Sequence, residues 1–268
     1  MIRSTFQLTP GVGSYGERQL WAAGIRRWED FPAEPEVALS VRLDGRVRQA
    51  LTHAREAFES SDADRLAAML PHRERWRLYT AFADDAAFLD IETDGPDLVT
   101  AVSVLDREGP RIFLHGRDLD RFPDATARWK VLVTFNGLSF DAPILQRAFP
   151  GWKPPRAHVD LRHLWARLGH RGGLKLLEQV TGVGRPDHLH GVDGLEAVRL
   201  WRRHCAGEPG ALRLLAEYNL YDAVNLKALM TLGHNRMLER YGLPGTPVAL
   251  WQRGDALHHV SKQLLAIG

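Results

Sequence analysis

The spacing of apolar residues changes near residue 83, from a helical period to short continuous runs. From about Val41 to Phe58, and again from Asp62 to Phe82, apolar positions recur at helical spacing and predict two helices. Ala86–Ile91 is instead a short apolar run typical of a buried strand. We therefore expect a helical N-terminal region at 1–82, an α/β domain at 83–242 and a C-terminal extension at 243–268.

The first thirty or so residues predict a small helical unit of their own. Its sharp turn is expected between Pro10 and Gly13, because these residue types favour turns. A linker is expected over 31–36, where two prolines occur. The apolar face of this unit is formed by Leu20, Trp21, Ile25, Trp28 and Phe31.

Strand and helix signals then alternate. After Ala86–Ile91, strands are expected over Leu98–Leu105, Arg111–His115 and Val131–Phe135, the last ended by the turn residues Asn136 and Gly137. Helices are expected over Phe140–Phe149, Leu161–Leu168, Leu174–Thr181, Leu195–Cys205 and Leu212–Leu232. This alternation predicts an α/β fold with a small all-helical N-terminal region.

Composition narrows the class of protein. The chain has 268 residues, of which 44% are hydrophobic and 25% charged, as in a globular protein, and its formal net charge is only +2. Its single cysteine, Cys205, excludes a disulfide framework and a thiolate zinc site. The sequence has no apolar run of membrane-spanning length and no basic-then-apolar leader, so we expect a cytoplasmic protein without a membrane partner.

Charge is unevenly distributed along the chain. Between Arg147 and His204 there are 11 Lys or Arg residues against 5 Asp or Glu, together with six of the 12 histidines. Such a stretch could line the path of a polyanion, and it could equally be a solvated helical surface. The sequence leaves both readings open.

Three acidic motifs carry the candidate chemistry. Asp90 and Glu92 are two apart on a predicted strand and therefore share one face. Asp141 follows the predicted central strand Val131–Phe135 and its turn, at an expected helix start where Ser139 is a candidate N-cap. Tyr218 and Asp222, four apart on a predicted helix, also share a face.

Four carboxylates at one point repel one another, by about 4 kcal/mol for each pair at about 4 Å and an effective dielectric near 20. Multivalent cations remove this cost. Two hard cations held by carboxylates can cleave phosphodiester bonds, so the motifs predict a metal-dependent nuclease.

In their order and spacing the three motifs resemble the DEDD 3′→5′ exonucleases of the ribonuclease H-like superfamily, over about Ala86–Leu232. Position 217 is Glu217, not histidine, and position 218 is Tyr218, which indicates the tyrosine branch, DEDDy. The whole chain looks closest to the YprB-like ribonuclease H-like proteins. The resemblance implies a ribonuclease H-like mixed central sheet flanked by helices. It also implies exonuclease activity on the 3′ end of DNA or RNA, with a single strand as the expected partner.

The resemblance also implies residue roles. Asp90, Glu92, Asp141 and Asp222 are expected to hold two Mg²⁺ or Mn²⁺ ions, and Tyr218 to orient the attacking water. Thr93 and Asn136 are expected to touch the terminal nucleotide. Asp94 departs from the small or neutral residue often found in that loop, and its charge is expected to weaken phosphate binding.

The N-terminal turn resembles a helix-hairpin-helix element over about residues 5–31. Gly11 and Gly13 are its candidate nucleic-acid contacts, through backbone N–H groups that meet phosphates. A helical packing module without a ligand is the alternative.

Two other functions are compatible with the motifs. One is a structure-selective endonuclease on the same fold, and the other is a catalytically silent nucleic-acid-binding module. The intact set of four acids and Tyr218 argues against the silent module. The sequence leaves DNA versus RNA, oligomeric state, biological pathway and protein partners open.

Overall fold

The computed structural model describes residues 1–33, 40–189, 191–251, 254–265 and 267. Residues 34–36 of the predicted linker lie outside this part of the chain. None of the described helices is both long and apolar enough to cross a membrane.

A five-stranded mixed sheet forms the centre of the α/β domain. Its strands are β1 (Ala86–Thr93), β2 (Val99–Asp106), β3 (Gly109–Leu114), β4 (Val131–Thr134) and β5 (Ala157–Asp160). The order across the sheet is β3-β2-β1-β4-β5. β1 pairs antiparallel with β2 and parallel with β4, so both of its edges are covered. The predicted mixed sheet is confirmed.

Helices flank the sheet on both faces. They are α1 (Ser14–Ala22), α2 (Val41–Glu59), α3 (Ala63–Met69), α4 (Phe122–Ala125), α5 (Asp141–Ala148), α6 (Leu161–Arg167), α7 (Leu174–Thr181), α8 (Gly194–Cys205), α9 (Ala211–Tyr241) and α10 (Gly254–Leu265). Short 3-10 turns lie at Ile2–Ser4, Trp28–Asp30, His72–Ala81, Ala83–Asp85, Leu119–Arg121 and Asp187–Leu189.

Successive apolar side chains of β1 point alternately into two apolar layers. Leu89 and Ile91 belong to a cluster with the α5 side chains Ile144 and Leu145. Phe88, one position away, belongs to the larger cluster that contains the buried residues of α9. Because Asp90 and Glu92 alternate with Leu89 and Ile91, they lie on the α9 face of the strand.

The N-terminal helical region packs into the larger of these two layers. Phe6, Leu8 and Trp28 are buried in the same cluster as the α9 residues. A buried ion pair adds to this packing, since Arg77 Nη2 contacts Glu17 Oε2 of α1 at 3.0 Å. The boundaries at 82/83 and 242/243 stay predictions.

β5, α4 and α10 are not among the predicted elements, and two predicted helices differ clearly in extent. The helix expected over 62–82 is only the seven-residue α3, and 72–81 forms 3-10 turns, because Pro71 between them has no N–H for a continuous helix. The last long helix, α9, has 31 residues and runs beyond the predicted 232 to Tyr241, where Gly242 in a left-handed conformation ends it.

Candidate metal centre

Three of the predicted acids meet at one point. Asp90 and Glu92 project from β1 towards α9, which carries Asp222 one helical turn after Tyr218. One carboxylate oxygen from each of Asp90, Glu92 and Asp222 lies within 4.8 Å of the other two. Residues more than 120 positions apart in the chain therefore form one group of hard oxygen ligands.

Asp141 lies beside this group and is not within that 4.8 Å set. It is the first residue of α5, directly after the β4 turn, and is only 3% exposed. Its charge raises the pKa of both Asp90 and Glu92, which shows that it acts on the same site. The predicted N-cap Ser139 is wrong: Phe140 is the cap residue and makes no side-chain cap bond, because the turn after β4 extends one residue further.

Burial and mutual repulsion disfavour the charged forms of these acids. Desolvation, followed by the charge of Asp222, raises the pKa of Asp90 and of Glu92 well above the usual values. Desolvation raises the pKa of Asp141 to about 7, and Asp160 adds to the effect. The site therefore favours any positive charge that enters it.

Two basic side chains, Lys175 and Arg185, already supply part of that charge. Lys175 Nζ of α7 makes a short ion pair with Asp222 Oδ1, and Arg185 Nη2 contacts the same oxygen at 2.6 Å. Both cations also lie over the Tyr218 ring, Lys175 Nζ at 4.3 Å from the centroid and the Arg185 guanidinium carbon at 5.7 Å. Sequence reasoning missed both residues. The sequence feature that could have indicated Lys175 and Arg185 is the excess of basic residues between Arg147 and His204.

Tyr218 and Asn219 complete the α9 side of the site. Tyr218 is 4% exposed, and desolvation, with Asp222 next, raises the pKa of its hydroxyl, so the phenol stays protonated and can donate a hydrogen bond. Asn219 was not predicted. Its Nδ2 donates to Asp90 Oδ2 at 2.8 Å and holds that carboxylate from the helix side.

The two predicted substrate contacts lie at the end of β1 and in the turn after β4, and their role stays a prediction. Thr93 ends β1 directly after Glu92, at an irregularity in the β1–β2 register. Asn136 has φ +66° in the turn after β4, and its N–H donates to Asp160 Oδ1 at 2.8 Å. Its side-chain oxygen accepts from Arg162 Nη1 at 2.7 Å. Asn136 is thus held by hydrogen bonds at its main-chain N–H and at its side-chain oxygen.

Asp160 holds the turn after β4 and is not one of the three acids whose oxygens lie within 4.8 Å of one another. It accepts from the N–H of Arg162 at 3.0 Å as the N-cap of α6, and from the Leu138 N–H at 3.2 Å. One buried carboxylate therefore ties the turn that precedes Asp141 to the start of α6.

The charge of Asp94 is neutralised within the protein. Arg202 of α8 donates to both Asp94 oxygens, with Nη2–Oδ1 at 2.8 Å and Nε–Oδ2 at 3.3 Å. The sequence could not place this neighbouring cation, and the effect of Asp94 on phosphate binding stays a prediction.

The N-terminal turn has one regular helix after it and a three-residue 3-10 turn, Ile2–Ser4, before it. Gly11 has φ +97°. Gly13 is the N-cap residue of α1, and α1 has no side-chain cap bond. Glu17 is buried and accepts hydrogen bonds from Thr5, Phe6 and Gln7 in addition to its Arg77 pair, so it packs this unit internally. Nucleic-acid binding by Gly11 and Gly13 stays a prediction.

The donor set fits a hard divalent cation. Carboxylate oxygens are the ligands preferred by Mg²⁺ and Mn²⁺. Burial and then the neighbouring negative charge of Asp222 raise the pKa of Asp90 and of Glu92, and a bound cation would favour the ionised form of both.

Comparison with known proteins gives one match. A family profile described as the RNase H superfamily matches residues 87–233, more than half of the chain. No curated protein and no solved structure gives a significant match.

Proposed function

Because the chain belongs to the RNase H superfamily, we propose that it is a metal-dependent 3′→5′ exonuclease of the DEDDy type. Family membership and the acidic cluster indicate a nuclease that uses divalent metal and acts on nucleic acid. The observation that carries the proposal is the convergence of Asp90, Glu92 and Asp222 within 4.8 Å, with Asp141 alongside.

Asp90, Glu92, Asp141 and Asp222 would hold two Mg²⁺ or Mn²⁺ ions. When bound, such ions supply an acidified water and stabilise the charge on the leaving oxygen. Tyr218, kept protonated by its raised pKa, orients the attacking water through its hydroxyl. Asn219 holds Asp90 in its ligating orientation.

The substrate we propose is a single strand of DNA or RNA with a free 3′ end. The polarity follows from the resemblance of the three motifs to the DEDD exonucleases. In this proposal Thr93, which follows Glu92 at the end of β1, and Asn136, in the turn that leads to Asp141, contact the terminal nucleotide. Since Arg202 pairs with Asp94, that loop does not present an uncompensated negative charge to the phosphate.

The test is incubation of the purified protein with 5′-labelled single-stranded DNA and RNA in Mg²⁺. Stepwise shortening from the 3′ end is expected, while internal cuts would identify an endonuclease and binding without cleavage a silent module. Asp90→Ala and Asp222→Ala should abolish cleavage with the fold retained by circular dichroism. Asp124→Ala, a carboxylate outside the site, is the matched control and should cleave normally. Unchanged cleavage in Asp90→Ala would defeat the assignment.

A further inference from the structure

Two cations contact one oxygen of Asp222, and their surroundings differ sharply. The Arg185 side chain is 6% exposed, whereas that of Lys175 is 37% exposed. Buried residues hold the Arg185 side chain, whereas the Lys175 side chain lies at the more open side of the site.

The Arg185 guanidinium is held by a buried acid. Its Nε contacts Glu178 Oε2 at 3.0 Å, and its Nη2 contacts Glu178 Oε1 at 2.5 Å. Glu178 in turn accepts from Asn225 Nδ2 at 2.9 Å, and Asn225 lies on α9 one turn after Asp222. These two contacts match the planar guanidinium and fix it rigidly against Asp222.

Lys175 has a different position and a different chemistry. It projects from the first turn of α7, and its ammonium is a point charge on a flexible stem. Its Nζ contacts Asp222, which groups with Asp90 and Glu92, and its charge counteracts the rise in the pKa of both of these acids. The Arg185 charge acts on Glu178 and Tyr218.

The charge balance separates the two roles. Five carboxylates belong to the acidic site and to the Arg185 ion pairs: Asp90, Glu92, Asp141, Glu178 and Asp222. Two divalent ions together with Arg185 would balance all five, so the Lys175 charge becomes surplus once both ions are bound. An ammonium that remained beside Asp222 would then repel the ions.

We propose that Lys175 is a built-in counter-cation that occupies the metal-binding face of Asp222 and is displaced when divalent ions enter, whereas Arg185 is the permanent positioning residue of that carboxylate. This inference rests on the proposed two-metal function. It makes divalent-ion binding a competition with a side chain of the protein. The displaced ammonium moves out of the cluster towards solvent, along the exposed side of α7.

The experiment measures Mn²⁺ binding directly, by calorimetry and by the EPR signal of the free ion, on substrate-free protein at pH 8. Lys175→Met should bind Mn²⁺ about tenfold more tightly than the wild type, since it removes a competing positive charge. Lys153→Met removes an exposed lysine outside the site and should leave the affinity unchanged. Equal or weaker binding by Lys175→Met would overturn the inference.

Arg185→Lys is the second test, because this variant keeps the positive charge but lacks the planar guanidinium that contacts Glu178 and Asp222 together. It should bind Mn²⁺ about tenfold more weakly, since a lysine cannot hold Glu178 and Asp222 together. Unchanged binding by a folded Arg185→Lys would overturn its positioning role, and the Lys175→Met arm remains decisive if this variant does not fold. Failure of the wild type to bind Mn²⁺ in an Asp90-dependent manner would instead overturn the two-metal function itself.

Discussion

Asn219 Nδ2 on α9 donates a hydrogen bond of 2.8 Å to Asp90 Oδ2 on β1, across 129 positions of the chain. This bond joins the helix that carries the third acidic motif to the strand that carries the first. It also fixes one oxygen of Asp90, so the other is presented in a defined direction.

Asn219→Ala should therefore lower the cleavage rate about tenfold, because a hydrogen bond to a charged group contributes about 1.5–3 kcal/mol and orients a proposed ligand. Steady-state cleavage of a labelled strand measures the effect. Asn235→Ala is the control on the same helix, since Asn235 Nδ2 donates to the Val248 carbonyl at 2.8 Å away from the acids. It should lower stability without slowing cleavage, and an equal rate loss in both variants contradicts the prediction.

Tyr218→Phe should slow cleavage by about tenfold to a hundredfold, less than the loss of a carboxylate, because water orientation is lost and the metal ligands remain. Because burial raises the pKa of the Tyr218 hydroxyl, the wild type should show no tyrosine ionisation in its rate profile below about pH 9. The measurement is the rate against pH for both proteins. A wild-type rate that rises with a pKa near 8 and is flat in Tyr218→Phe would show instead that the phenolate is the base.

The metal-free protein should lose stability as the pH rises above about 6.5. The pKa of Asp141 is about 7 in the folded protein against about 3.9 in an unfolded chain, so the folded state binds more protons in this range and is penalised when they leave. Buried His158 and His234, with pKa values lowered to about 3 and about 4, act oppositely, and their contribution is lost as the pH falls below about 6.5.

Urea unfolding in EDTA should therefore give a free energy of unfolding about 1 kcal/mol lower at pH 8 than at pH 6.5. Excess Mg²⁺ should remove this difference, since bound cations stabilise the ionised carboxylates. Asp141→Asn should show a smaller loss in EDTA than the wild type. A stability that is independent of both pH and Mg²⁺ contradicts the acidic cluster as a metal site.

Gly137→Ala should destabilise the protein by about 1–3 kcal/mol, because a Cβ at this buried turn position would lie 2.3 Å from Thr134 Oγ1 and 2.5 Å from Thr134 Cβ. The turn leads from β4 to Asp141, so cleavage should also slow. Gly45→Ala is the matched control. It lies within α2 with no atom within 4 Å of the added Cβ, and it should stabilise by about 0.5–1 kcal/mol. Thermal unfolding of both variants tests the contrast.

The sequence by itself determined the local elements and the kind of chemistry. Periodicity located β1 and α9, because strand and helix repeats depend on neighbouring residues alone. The two-residue spacing of Asp90 and Glu92 placed them on one face for the same reason. The extent of 3-10 structure after Pro71 and the length of α9 were not predicted, since helix ends depend on packing and on single residues such as Gly242.

Only the tertiary structure decided which charges meet. Lys175 and Arg185 are 47 and 37 positions from Asp222, and Arg202 is 108 positions from Asp94. No periodic pattern links residues at such separations, because their proximity follows from how α7, α8 and α9 pack on the sheet. Electrostatic energy depends on distance in space and on burial. The pKa shifts of the acidic cluster and the cations that balance its charge could therefore be identified only from the folded chain.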